Sequence, residues 1–172
     1  MCGIQVHSQI TRTNRGTTAR NQLTKTKKIA LVTSCGGHLT EIRSLQSIYS
    51  AYSHFYVLND KAILSKDMIN KTYFITHSER DWKFFKNLWE ALVIIRKEKP
   101  SVLMSTGAGL IVPFCLVGKL FGIKTIFIES LAGVQKPTLT ARIMYYLADF
   151  FYYQWPQLKK YFPKGKYLGT LL

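Results

Sequence analysis

Cysteine is scarce in this chain of 172 residues, and the three present, Cys2, Cys35 and Cys115, never stand at C-x-x-C spacing. An odd and scattered set supplies neither a disulfide framework nor a thiolate metal site, so a reducing compartment is expected, with no metal. Acid is scarce too: 9 Asp and Glu face 24 Lys and Arg, a formal charge of +15, and no acidic residue precedes Glu41. Six basic residues, Arg12, Arg15, Arg20, Lys25, Lys27 and Lys28, lie in that acid-free head, yet the rest of the chain still holds 18 basic against 9 acidic residues. The excess therefore belongs to the body as well as the head. It suits nucleic acid, anionic lipid or phosphorylated substrates without choosing among them. Long apolar runs are missing: the longest, Leu110 to Ile123, is interrupted by Pro113, Lys119 and Gly122 and falls short of the ~20 residues that a bilayer span needs. There is no repeat of solenoid period, no G-x-G-x-x-G and no P-loop lysine. Residues 1–26, rich in Thr, Asn, Gln and Arg, lack the apolar core of a secretory signal. They read as a disordered basic tail, a transit peptide or the product of an upstream start.

What the chain does hold is 47% hydrophobic and 13% aromatic residues, enough for a packed core in one domain over residues 27–172. Its most informative stretch runs from Lys28 to Glu41. Ile29 to Val32 form an apolar strand, the strand ends in Gly36-Gly37-His38, and Leu39, Ile42, Leu45 and Ile48 then recur at helical spacing. Glycines at such a junction let a ligand approach the backbone, and the first N–H groups of the helix are free to meet an anion. The same glycines also serve purely steric needs, and a histidine at a helix start is either a solvated capping residue or a catalytic group.

Further strands are expected at Ser53 to Leu58, Thr72 to Thr76, Ser101 to Ser105, Lys124 to Ile128, Phe150 to Gln154 and Tyr167-Leu168. Between them lie a helix from Asp81 to about Lys97, stopped by Lys99-Pro100, a helix after Gly107-Ala108-Gly109 through Leu120, and a third from Pro137 to Ala148. Strands alternating with helices predict a doubly wound, mostly parallel Rossmann-like α/β sheet. Ligands of such sheets bind at the carboxyl ends of the strands, which gathers Gly36-Gly37-His38, Thr106 to Gly109 and Glu129-Ser130 into one crevice. Glu129 is the only carboxylate expected in that group. It either holds a sugar hydroxyl or orients a base, or it pairs a nearby helix N-terminus.

On a helical wheel the Asp81 to Lys97 segment has an apolar arc of roughly 200°, where packing on a sheet needs little over ~100°. Trp82, Phe84, Phe85, Leu88 and Trp89 belong to that arc, and Lys83, Lys86 and Lys97 lie opposite. The surplus buries against another helix or meets the bilayer interface, where tryptophan is favoured and anionic lipid attracts lysine.

Four motifs in order, Ser34-Cys-Gly-Gly-His-Leu-Thr-Glu41, Ser105-Thr-Gly-Ala-Gly109, Ile128-Glu-Ser130 and Tyr167-Leu-Gly-Thr170, carry a family resemblance over nearly all of residues 27–172. The chain resembles oligosaccharide-biosynthesis proteins that correspond to the amino-terminal half of MurG-like glycosyltransferases. These include PssD-type exopolysaccharide subunits and the membrane-recruiting subunit of the dolichol-linked N-acetylglucosamine transferase. The resemblance implies the acceptor-side half of a GT-B enzyme divided between two polypeptides and inactive without its partner. That partner would resemble the carboxyl-terminal half of MurG-like enzymes and bind most of the UDP-sugar. Residues Gly36, Gly37, His38, Gly107, Ala108 and Gly109 would line the acceptor diphosphate. His38 would be the general base on a polyprenyl-diphosphate-linked sugar, which attacks an N-acetylglucosamine, glucose or glucuronic acid donor with inversion. Glu129 would be a cleft glutamate of the site, although Ser130-Leu131 departs from the fuller MurG pattern. Trp82, Lys83, Phe84, Phe85, Lys86 and Trp89 would form the membrane patch of a peripheral protein on the cytoplasmic face. No cofactor and no nucleic acid are implied. The residues alone leave two rivals: a Rossmann-type oxidoreductase, suggested by Asp60 beyond the second strand, and a basic nucleic-acid-binding module.

Overall fold

The computed structural model describes residues 27–59, 68, 71–75 and 83–171. The tail 1–26, the cap at Asp81 and the first membrane-patch residue, Trp82, lie outside them, as do Thr76 at the end of the third strand and the side chain of Lys83. In chain order the elements are β1 (Lys28–Val32), α1 (Gly37–Ser44), α2 (Gln46–Tyr49), β2 (Ser53–Asn59), β3 (Thr72–Ile75), α3 (Lys83–Glu98) and β4 (Val102–Ser105). There follow α4 (Ile111–Leu120), β5 (Lys124–Ile128), α5 (Leu139–Leu147), β6 (Phe150–Tyr153), a 3-10 turn at Pro156–Lys160 and β7 (Lys166–Tyr167). The seven strands pair in the order β3-β2-β1-β4-β5-β6-β7, parallel throughout. This is the doubly wound sheet that the sequence predicts.

Both faces of the sheet are covered, which is why β1 is apolar at every position from Ile29 to Val32. One face packs under α3, α4 and α5 around Phe114, Phe127 and Phe151, with the Phe127 and Phe151 rings stacked at 5.4 Å. The other packs under α1 and α2 around Leu31, Ile42, Tyr49 and Leu58. Pro113, a break in the apolar run of the sequence, sits in the first turn of α4, where an N–H would have no helical partner to lose. Thr138 caps α5 by accepting a hydrogen bond from the Ala141 amide at 3.1 Å.

The expected single helix through Ile48 is instead broken at Leu45, whose ψ of 9° leaves the helical range and whose N–H bonds the Ile42 carbonyl. The break turns Ile48 outward, 56% exposed, and Tyr49 inward, where its hydroxyl meets that of Tyr56 at 2.9 Å. The order of the strands reverses between β1 and β4. The segments leaving their carboxyl ends, Thr33 to Gly36 and Thr106 to Gly109, therefore open the crevice where ligands of such sheets bind.

Candidate functional site

Gly36 makes the turn into α1 with a φ of +84°, a conformation open to glycine at little cost. Its carbonyl accepts the amides of Leu39 and Thr40 at 3.1 and 3.2 Å, so the N–H groups of Gly37 and His38 have no helical acceptor. Both glycines are exposed, with open space where a Cβ would stand. The turn is tied to β2 through the Cys35 amide, which donates to Asn59 Oδ1 at 3.0 Å.

His38 is held from the second turn by two reciprocal bonds. Its Nδ1 lies 2.8 Å from the Thr106 carbonyl, and the Thr106 hydroxyl donates back to the His38 carbonyl at 2.8 Å. A carbonyl only accepts, so Nδ1 carries the proton and Nε2 is the basic atom of the neutral ring. Gly107, at φ +113°, lets the ring in: a Cβ there would stand 2.9 Å from His38 Cε1 and 3.0 Å from Ser130 Cβ. Of the three residues expected to face phosphate in this turn, Gly107 and Ala108 are buried and Gly109 is exposed. The structure thus brings Gly36, Gly37, His38, Gly107, Ala108 and Gly109 to one end of the sheet, with Gly107 packed on the histidine ring.

Glu129 is brought to the same end but is fully buried, and it is not among the residues lining the crevice. Its Oε1 accepts the Thr138 amide at 2.9 Å and its Oε2 the Thr138 hydroxyl at 3.2 Å. It therefore pairs the capping residue of α5, the alternative that the sequence left open. Burial pushes its carboxyl up to about 7, against the lowering effect of the Thr138 bonds.

The expectation that Glu129 is the only carboxylate of the group is corrected by Glu41, which lies one helical turn after His38 and is 5% exposed. Glu41 Oε1 accepts the Ser130 hydroxyl at 2.9 Å and the Leu131 amide at 3.2 Å, and Oε2 accepts Gln154 Nε2 at 3.3 Å. Burial raises its carboxyl above the usual range while these donors and the nearby His38 pull it down. Glu41 closes the first of the four motifs. Its partners lie 89 to 113 residues away, so the sequence carried no local signal of them. The crevice itself, about 510 Å³, is lined by Gly37, His38, Thr40, Glu41, Ser130, Leu131 and Ala132. Among the described residues no group of His, Cys, Asp and Glu could hold a metal ion.

A second cavity, about 460 Å³, runs between α3 and α4 and is apolar: Phe85, Leu88, Trp89, Leu92, Leu116, Val117 and Leu120 line it. Phe85, Trp89 and Leu120 are 65%, 66% and 83% exposed and Lys86 is exposed too, whereas Phe84 is half-buried. The apolar surface is wider than α3 alone. Further apolar residues are exposed at Phe121 beyond α4 and at Leu139, Ile143 and Tyr146 of α5, as are Lys119 of α4 and Arg142 of α5. No helix among the described residues is long and apolar enough to cross a membrane.

Residues 76–171 match the family described as "Oligosaccharide biosynthesis protein Alg14 like". The chain belongs to this family. The Alg14-like chain is 30% identical to the human UDP-N-acetylglucosamine transferase subunit ALG14, over 84% of this chain and 82% of that protein. It is 26% identical to the mouse subunit over 84% and 83%. Among solved structures it superposes on Acinetobacter baumannii MurG with a TM-score of 0.66 at 16% identity, covering 76% of this chain and 42% of MurG. On the UDP-GlcNAc 2-epimerase of Methanocaldococcus jannaschii the TM-score is 0.58 at 14% identity, over 80% and 42%. The Alg14-like chain thus spans about two fifths of these structures, and its fold is one Rossmann-like half of the GT-B architecture. The resemblance carried by the four motifs is borne out.

Proposed function

We propose that this Alg14-like chain is the acceptor-side, membrane-associated subunit of a two-chain UDP-N-acetylglucosamine transferase that extends a polyprenyl-diphosphate-linked sugar. The observation that carries the reading is His38, its Nδ1 committed to the Thr106 carbonyl and its Nε2 left basic, at a glycine turn on the switch point of the sheet. The acceptor diphosphate would meet the N–H groups at the start of α1 and the exposed Gly109 turn. Nε2 of His38 takes the proton of the acceptor hydroxyl as its oxygen attacks the anomeric carbon of the donor. The glycosidic bond forms as the bond to UDP breaks, with inversion. Glu129 serves this site from behind, holding the segment between β5 and α5. N-acetylglucosamine is preferred to glucose or glucuronic acid as the donor sugar because the relatives matched over most of their length are named as subunits of a UDP-N-acetylglucosamine transferase. A separate subunit resembling the carboxyl-terminal half of MurG-like enzymes supplies most of the donor site. The apolar and basic surface over α3, α4 and α5 seats the subunit on the cytoplasmic face of a membrane.

The test is co-expression with that partner, followed by transfer from UDP-N-acetylglucosamine to a polyprenyl-diphosphate sugar in membranes. Both chains together transfer, this chain alone does not, and His38→Ala in the complex loses about 10²–10⁴-fold in rate. Transfer by the single chain would overturn the two-chain reading, and an undiminished His38→Ala rate would overturn the base.

A further inference from the structure

We infer that Glu41 is a positioning residue for the His38 site: its buried carboxylate supplies a fixed negative charge one turn from the imidazole and anchors the Ser130-Leu131 wall of the crevice. The inference rests on the proposed role of His38 as base. A glutamate three residues beyond a histidine shares its face of the helix, and both side chains line the same crevice. A buried carboxylate is costly unless donors surround it. Here three converge from two other parts of the fold, Ser130 and Leu131 after β5 and Gln154 after β6. The Leu131 and Gln154 N–H groups can only donate and the Ser130 hydroxyl donates as well, a pattern that suits an ionised carboxylate, which only accepts. The Gln154 amide cannot simply turn over, since its Oε1 accepts the Leu171 amide at 2.8 Å and its Nε2 also donates to the Glu129 carbonyl at 2.9 Å. Among the described titratable groups, His38 on the same helix pulls Glu41 down, and Glu41 in turn raises Glu129 at the end of β5. When His38 takes the acceptor proton, an imidazolium forms beside this carboxylate, and the attraction stabilises the proton-transferred state without any direct bond between the two side chains.

The test follows the Glu41 carboxyl resonance by NMR in the full chain, and transfer by the two-chain complex. In His38→Gln the Glu41 carboxyl titrates at a higher midpoint, because the imidazole that pulls it down is gone. In the complex the kcat of Glu41→Gln falls about tenfold or more while the acceptor KM stays within about twofold, and Glu41→Asp recovers most of the rate. Coincident Glu41 titration curves for wild type and His38→Gln would overturn the proposal. If Glu41→Gln does not fold, the titration in His38→Gln decides it. A wild-type complex that transfers no sugar would sink the proposed function, while the titrations still decide the charge coupling.

Discussion

Alanine at Gly107 would adopt a φ of +113° and press its methyl against the His38 ring and Ser130 Cβ at 2.9–3.0 Å. The strain is of order 1–3 kcal/mol. Gly107→Ala is therefore expected to lower the urea midpoint and to move the His38 ring resonances, whereas alanine at Gly37, which faces open space, leaves the fold unchanged. Glu129 makes a second residue-level prediction. Its carboxyl titrates near 4.5 when unfolded and is pushed up to about 7 when folded, so the folded chain favours the protonated form. The stability from that proton is complete below about pH 4.5, declines as pH rises and is gone above about pH 7. Glu129→Gln stays neutral throughout. Between pH 5 and 7.5 the wild type is expected to lose about 1–3 kcal/mol more than the variant, measured by urea unfolding at the two pH values. Equal losses would show that the carboxyl titrates as it does in water.

At the scale of elements, strands and helices were legible because their local cues and tertiary surroundings agree. β1, buried on both faces, is apolar at four successive positions, and α3 stops where Lys99, at φ +48°, meets Pro100. The break at Leu45 was not legible, since Leu39, Ile42, Leu45 and Ile48 keep helical spacing across it, while the pairing of Tyr49 with Tyr56 that accompanies the turn is a tertiary contact. Nor was the breadth of the apolar layer, because the wheel of one helix carries no information on its neighbours: α4 extends a surface that α3 alone announced. That layer yields a prediction. Trp89→Asp and Leu120→Asp, both at exposed sites, should change stability by no more than about 0.5 kcal/mol yet cut recovery with floated anionic vesicles severalfold. Unchanged recovery in the folded variants would remove this layer from membrane binding.

If the proposed membrane seating holds, the +15 charge acts together with the apolar layer across the whole molecule, and the two contributions respond differently to salt. The Debye length is about 10 Å at 0.1 M and shortens as salt rises, so recovery with anionic vesicles should fall on going from 0.1 to 0.5 M, while the weaker recovery with neutral vesicles stays flat. The crevice was legible in the sequence as far as the turns that open it, because glycine and histidine at strand ends announce themselves locally. Its far wall was not, because that wall is made by partners brought together only in the finished sheet. Gln154 reaches Glu41 across 113 residues of chain and holds Leu171 with its other end. Closing so long a loop is entropically costly and comes late in folding. A nascent chain that has paired β1 through β5 would thus own a sheet, a histidine and both glycine turns, yet still have no finished crevice. Completion of the site would report that the last strands have been made and seated.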